Sequence, residues 1–222
     1  MKLGKASNRI SSDIGCLDTE EMPAALISTK GFHCKVWQSA MVIAQNSHKK
    51  MLDFVVKKYR NPCPFPEVAI LNKDYQLLKT TLGDMIPSTL FVATMVDGME
   101  SVIALSETVY PWFNLANPAT EEEAIPLLKK LPKARDELAQ FVAAASQWYA
   151  QDSKVIDLYG LDNLVLDRNR DIRFIDSFSV FFHEDLLYMV DEVDDMLEER
   201  IKISLKRKSY LEYLLEETNR SQ

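Results

Sequence analysis

Asp157, Asn163 and Asp176 are the residues whose types and spacing best suit chemistry. They lie in Val155-Ile156-Asp157-Leu158-Tyr159-Gly160-Leu161-Asp162-Asn163-Leu164-Val165-Leu166-Asp167 and in the later run Ile172-Arg173-Phe174-Ile175-Asp176-Ser177-Phe178. Asn163-Leu164-Val165-Leu166 and Ile172-Arg173-Phe174-Ile175 are short β-like runs, and Asp167-Arg168-Asn169-Arg170-Asp171 between them is a polar turn. A hairpin of this kind brings its open ends together. Asn163 at the start of one strand and Asp176 at the end of the other become neighbours, although thirteen positions separate them. An amide oxygen beside a carboxylate is a pair of hard oxygen donors suited to Mg2+. Lys57 is a further candidate. It closes the apolar run Phe54-Val55-Val56-Lys57, and strand alternation sends Lys58 to the opposite face. A lysine at a strand end is by itself an ordinary surface residue, so the elements after it in the chain decide its reading.

The elements that must hold these residues are set by periodicity. Up to residue 60 the chain reads as strands, with a partly alternating stretch at 35–44, a polar turn at 46–50 and a further strand at 54–59. Asn61-Pro62-Cys63-Pro64-Phe65-Pro66 interrupts regular structure, because proline lacks the backbone donor that ladders and helices need. A helix is predicted from Pro66 onward. Val68, Leu71, Tyr75, Leu78 and Leu82 recur at spacings of three and four, and Gly83 suits the position after its end. Residues 89–94 and 101–105 predict two strands joined through Asp97-Gly98, a strong hairpin-turn pair. The second half is mostly helical. Residues 132–150 carry Leu138, Phe141, Val142, Ala145, Trp148 and Tyr149 on an amphipathic pattern. Residues 184–217 predict a long helix with room for a break, its buried seam running through Leu186, Val190, Val193, Leu197, Ile201 and Leu205. The fold class expected from these elements is α+β.

This order of lysine-bearing strand, helix, two strands, helix, polar loop, hairpin and aspartate resembles the protein-kinase-like superfamily, which includes protein kinases, aminoglycoside phosphotransferases and small bacterial relatives. The resemblance covers roughly residues 1–182. It implies a minimal two-lobed fold: an N-lobe at 1–108, an antiparallel sheet with one helix, and a reduced, mostly helical C-lobe at 109–222 with a short hairpin. No Ala-Pro-Glu motif is present, and the forty-six residues after Asp176 leave no room for a full substrate platform. The resemblance implies ATP and Mg2+ as cofactors, with Asn163 and Asp176 as metal ligands and Lys57 on the nucleotide phosphates. It implies an acid on the following helix to orient that lysine: Asp74 aligns best, and Glu67 is the alternative. Gly4-Lys5-Ala6-Ser7-Asn8-Arg9-Ile10 stands where the glycine-rich loop is expected, keeping one glycine and offering Lys5 and Arg9 as charge. Backbone near Glu107 would be the hinge facing the adenine. The family's general base lies five residues before the asparagine, a position held here by Leu158. Asp157 lies one residue further upstream. A loop that bulges at Gly160, where glycine adopts backbone angles other residues avoid, would return the Asp157 carboxylate to the site. Two functions stay open on these residues. One is a phosphotransferase acting on a protein or small-molecule hydroxyl, with Asp157 as base. The other is a pseudokinase that binds nucleotide or protein without transfer.

Composition bounds these readings. In 222 residues, 47% are hydrophobic and 27% charged, a globular composition. The net charge of −7 argues against a general nucleic-acid binder. The charge is uneven: residues 1–60 carry an excess of +5 and residues 61–222 an excess of −12. A basic first quarter suits a polyanion such as a nucleotide as readily as it suits an ordinary surface. Cys16, Cys34 and Cys63 form no C-x-x-C pair, which predicts a reducing, cytoplasmic setting. Residues 1–13 lack an apolar signal core, and no apolar run is long enough to span a bilayer, so no membrane partner is expected. His33, His48 and His183 are isolated and read as structural. Tyr110-Pro111-Trp112-Phe113 reads as an aromatic packing cluster.

Overall fold

The computed structural model describes residues 9–28, 34–45, 48–60, 62–189 and 195–220. The fold is α+β, and the chain divides into two compact units. The first comprises Met1–Lys73 and Ser88–Thr108, the second Asp74–Pro87 and Val109–Gln222. Among the described residues no helix is long and apolar enough to cross a membrane.

The first unit is built on one antiparallel sheet. Its strands are β1 (Ala24–Ser28), β2 (Cys34–Gln45), β3 (His48–Tyr59), β4 (Thr89–Val96) and β5 (Met99–Glu107), in the spatial order β1-β2-β3-β5-β4. The helix α1 (Glu67–Leu82) lies between β3 and β4 in sequence. The register sets Val56 opposite both Trp37 and Leu105. Val56, Trp37, Ile103 and Ile14 bury together with Ile10, Met22, Ala24 and Val96 to form this unit's core. The hairpin β4–β5 turns at Asp97-Gly98, whose φ values of 50° and 79° are the paired positive angles of a type I′ turn. Asp97 also fastens the segment before the sheet: its Oδ1 accepts from Asp13 N at 2.9 Å and its Oδ2 from Lys58 Nζ at 2.8 Å. That ion pair holds the Asp97 carboxyl below the ordinary carboxylate range.

The strand β3 runs further toward its N-terminus than the sequence pattern indicates. It begins at His48, so the stretch expected as a polar turn is largely paired strand. The helix α1 keeps the predicted face, burying Leu71, Leu78 and Leu82. Gly83, at φ +57°, opens a 3₁₀ turn over Gly83–Met85.

The second unit layers helices on two small sheets. Its elements are β6 (Pro111–Asn114), α2 (Glu121–Lys130), α3 (Pro132–Asp152), β7 (Lys154–Ile156), β8 (Leu164–Asp167), β9 (Ile172–Phe174), β10 (Phe181–His183), α4 (Leu186–Met189) and α5 (Asp195–Asn219). The strands β6, β8 and β9 form one antiparallel sheet, and β7 pairs with β10 in another. The helix α3 buries Leu138, Phe141, Val142, Ala145 and Trp148, as its periodicity predicts, and ends at Ser153 in the left-handed conformation. Leu78, Leu82, Met85 and Ile86 join Leu138, Phe141, Leu164, Phe174, Leu211 and Leu214 in one core. Phe141 and Phe174 pack with centroids 6.0 Å apart, and Trp148 meets Phe181 edge-on at 5.1 Å.

The hairpin β8–β9 is the element expected over residues 163–175. Its turn is fixed by the buried Asp167 carboxylate, which accepts from Asn169 N at 2.7 Å and Asp171 N at 3.1 Å. The Phe141 ring is fully buried against this hairpin's Phe174. Phe141→Ala should therefore destabilise the protein by about 3–5 kcal/mol, and Phe141→Leu by less, in equilibrium urea unfolding.

Candidate functional site

All three predicted chemical residues of the second half sit where β7 hands over to the hairpin β8–β9. Asp157 N donates to Val180 O at 2.8 Å, extending the β7–β10 pairing by one residue. The next residue, Leu158, has its side chain fully buried in the core. The Asp157 carboxylate bridges over it: Oδ1 accepts from Tyr159 N at 2.7 Å. Leu158 N donates to Ser204 Oγ of α5 at 3.1 Å. Arg207 Nη1, also on α5, donates to the carbonyls of both Leu158 and Tyr159.

Asn163 closes the constellation. Its backbone N donates to Gly160 O at 3.2 Å, and its carbonyl accepts from Ile175 N at 2.9 Å, which joins the open ends of the hairpin. Its Nδ2 donates to Asp157 O at 3.0 Å and lies 3.5 Å from Asp176 Oδ2. Asp176 Oδ1 accepts from Ser177 N at 2.7 Å and Phe178 N at 3.4 Å. The Asn163 amide oxygen lies against Gly160: a Cβ built at position 160 would stand 2.4 Å from it. A side chain at 160 would push the Asn163 amide out of this position. The φ of Gly160 is not positive, since among the described residues the positive-φ glycines are Gly83 and Gly98, so the expected bulge through unusual backbone angles does not occur.

Asp157 is 5% exposed. Burial is the main reason its carboxyl is pushed up to about 7, and the charge of Asp176 adds to it. The Tyr159 amide and the guanidinium groups of Arg200 and Arg207 pull the other way. A buried carboxyl of this kind is poised to exchange its proton near neutrality.

Among the described residues no group of three or more His, Cys, Asp or Glu side chains is arranged to hold a metal ion. Mg2+ commonly takes only one or two carboxylates from a protein and completes its shell with water and phosphate oxygens. Asp176 and the Asn163 amide oxygen, whose nitrogen is already occupied on the loop, are a fitting partial donor set of that type.

The other candidates are spread over both units. Lys57 is half-buried on β3, paired with Val36 and Ala104, and shares its face of the sheet with Val55. Glu67 and Asp74 are half-buried on α1. Glu107 is the last residue of β5 and not beyond it. Its N–H donates to Ser88 O at 2.9 Å, and its carboxylate accepts from Ser88 N at 3.3 Å, so that N–H is committed to the sheet. Arg9 is exposed and forms an isolated bridge with Pro23, ahead of the first strand. The expected glycine-rich segment at 4–10 lies outside the described residues up to position 8. Lys5 and residues 29–33 lie outside the described residues.

Three residues of the site escape a sequence reading. Ser204 and Arg200 are buried on α5, and Arg207 holds two loop carbonyls. The run Lys206-Arg207-Lys208 reads as a solvated charge cluster, and nothing in it singles out Arg207. Compared with known proteins, the sequence matches no family model and no curated protein.

Asp157 holds its proton more tightly folded than unfolded. Its contribution to stability is thus complete below the ordinary carboxylate range, near pH 4, and is lost as pH rises through about 7. Asp157→Asn removes the buried charge. The variant should match or trail wild type at pH 4.5 and exceed it at pH 8, by up to about 4 kcal/mol, in urea unfolding at the two pH values.

Proposed function

We propose that the chain is a minimal protein-kinase-like domain that binds ATP with Mg2+ and transfers the γ-phosphoryl group to a hydroxyl of a protein or small molecule. The observation that carries this reading is the Asn163 amide group, which bonds to the Asp157 carbonyl and touches Asp176 in one constellation. The sheet supports it, with a single helix between β3 and β4 and Lys57 on β3, in the order the resemblance requires. The hairpin between Asn163 and Asp176 supports it as well.

In this reading Asp176 and the Asn163 amide oxygen would hold Mg2+, which would supply charge neutralisation to the phosphates. The resemblance assigns Lys57 to the phosphate oxygens and Asp74 or Glu67 to orienting that lysine. Asp157 accepts the proton of the acceptor hydroxyl as that oxygen bonds to the γ-phosphorus and ADP departs. The high proton affinity of Asp157 suits a group that takes up a proton near neutral pH. A second reading, a pseudokinase that binds nucleotide without transfer, is favoured by the burial of the Asp157 carboxylate and by Leu158 at the usual base position.

Both readings require Mg2+·ATP to stabilise the fold. At ATP a hundredfold above its Kd, the melting temperature should rise on the order of 5–10 °C with Mg2+ present. Asp176→Ala should lose most of that rise. No shift in wild type, or a full shift in Asp176→Ala, overturns the proposed site. Where wild type binds, loss of ATP turnover in Asp157→Asn with binding retained identifies the transferase; binding without turnover in wild type, over a panel of acceptor hydroxyls, identifies the pseudokinase.

A further inference from the structure

The geometry assigns Arg207 a positioning role: from α5 it fixes the loop so that Asp157, and not Leu158, faces the site, and so that Asn163 is aligned for a divalent cation. This inference rests on the proposed Mg2+·nucleotide site and names the residue that builds it.

Counting from Asn163, the loop holds one residue more than the five-residue spacing expected of a kinase-like base. The structure shows where the extra residue goes. Leu158 is withdrawn into the core, with no exposed surface. Both of its peptide groups are held by one face of α5: Ser204 Oγ takes its N–H, and Arg207 Nη1 donates to its carbonyl. The same Nη1 also reaches the Tyr159 carbonyl. Residues 158 and 159 belong to no strand or helix of their own, so these side chains of α5 are what shape the chain there.

The consequence reaches the chemistry through two bonds. Arg207, by fixing the Leu158 carbonyl, sets the peptide whose Tyr159 N–H bonds to Asp157 Oδ1, and it steadies the neighbouring peptide, whose N–H Ser204 holds and whose Asp157 carbonyl meets Asn163 Nδ2. The Asn163 amide is thereby oriented, its oxygen against Gly160 and its nitrogen toward Asp176. Arginine suits the task because Nη1 carries two N–H groups held in the guanidinium plane, one for each carbonyl, whereas lysine offers a point charge. Arg200 stands on the same helix, with its guanidinium 5.6 Å from the Tyr159 ring centroid. It touches the loop through that ring, while Arg207 holds the backbone.

The test uses the full chain as wild type, Arg207→Met, Arg207→Lys and two controls on α5. Lys202→Met removes one exposed positive charge, and Leu214→Val lowers core stability. Amide hydrogen exchange is monitored across residues 157–163, and ATP binding is measured calorimetrically with MgCl2 and with EDTA. Arg207→Met should speed exchange in that segment and weaken ATP binding in MgCl2 about tenfold, while binding in EDTA stays within about twofold; supporting residues around metal ligands commonly act on this scale. Arg207→Lys should fall between, and both controls should keep the wild-type ratio of the two affinities. The inference is overturned if Arg207→Met keeps that ratio, if Leu214→Val lowers it equally, or if exchange at 157–163 is unchanged. A wild type that does not bind ATP in MgCl2 overturns the proposed function itself and the positioning role with it. In that case faster exchange in Arg207→Met identifies the clamp as purely structural.

Discussion

The hydrogen-bonding demand of one side-chain amide organises the second unit's candidate site. Asn163 uses its backbone to close a hairpin and its side chain to bridge that hairpin to the loop after β7. Its Nδ2 has two acceptors, one a main-chain carbonyl and the other a carboxylate, which no hydroxyl or carboxylate at that position could serve as a donor pair. Everything nearby accommodates it. Gly160 leaves room for the amide oxygen, Leu158 retreats into the core, and Asp176 is held in place by the two amides after it.

That arrangement costs stability, because it confines the Asp157 carboxyl near a second acid in a buried setting. The surrounding core offsets the cost. Leu164, Leu166, Ile172 and Phe174 of the hairpin are all fully buried against α3 and α5 residues such as Phe141 and Leu211. A rigid apolar frame thus carries a small polar cluster whose proton affinity responds to its neighbours. Packing supplies the stability, and the polar bonds supply the geometry.

Much of this was legible in the sequence wherever a local rule acts alone. The turn at Asp97-Gly98, the apolar faces of α1 and α3, and the hairpin around Asp167–Asp171 all depend on short-range spacing or on glycine and aspartate turn chemistry. The neighbourhood of Asn163 and Asp176 is a consequence of the hairpin. The features that were not legible depend on partners distant in sequence. The helix α2 carries Pro126 within it and is recognisable mainly from Glu121–Glu123 at its start and Lys129 and Lys130 at its end, which complement the helix dipole. The strands β7 and β10 are three residues each and exist through pairing with one another. The buried seam of α5 includes Ser204 and Arg200 because a loop lies there to receive them, and no apolar periodicity marks them. The position of the first strand, from Ala24, likewise depends on its pairing with β2.

The division of α1 has a consequence for how the molecule is made. The helix and the 3₁₀ turn after it contribute Leu78, Leu82, Met85 and Ile86 to a core completed by residues as late as Leu211 and Leu214. On a ribosome these four apolar side chains emerge before β4 and β5 and before partners that run from Leu115 to Leu214, so their core is complete only near the end of synthesis. Closing such a long loop is slow compared with forming the hairpins of the first unit. Nascent chains therefore carry this apolar stripe incompletely covered until α5 is made. A fragment starting at residue 109 would lack that stripe and leave a hollow where it belongs.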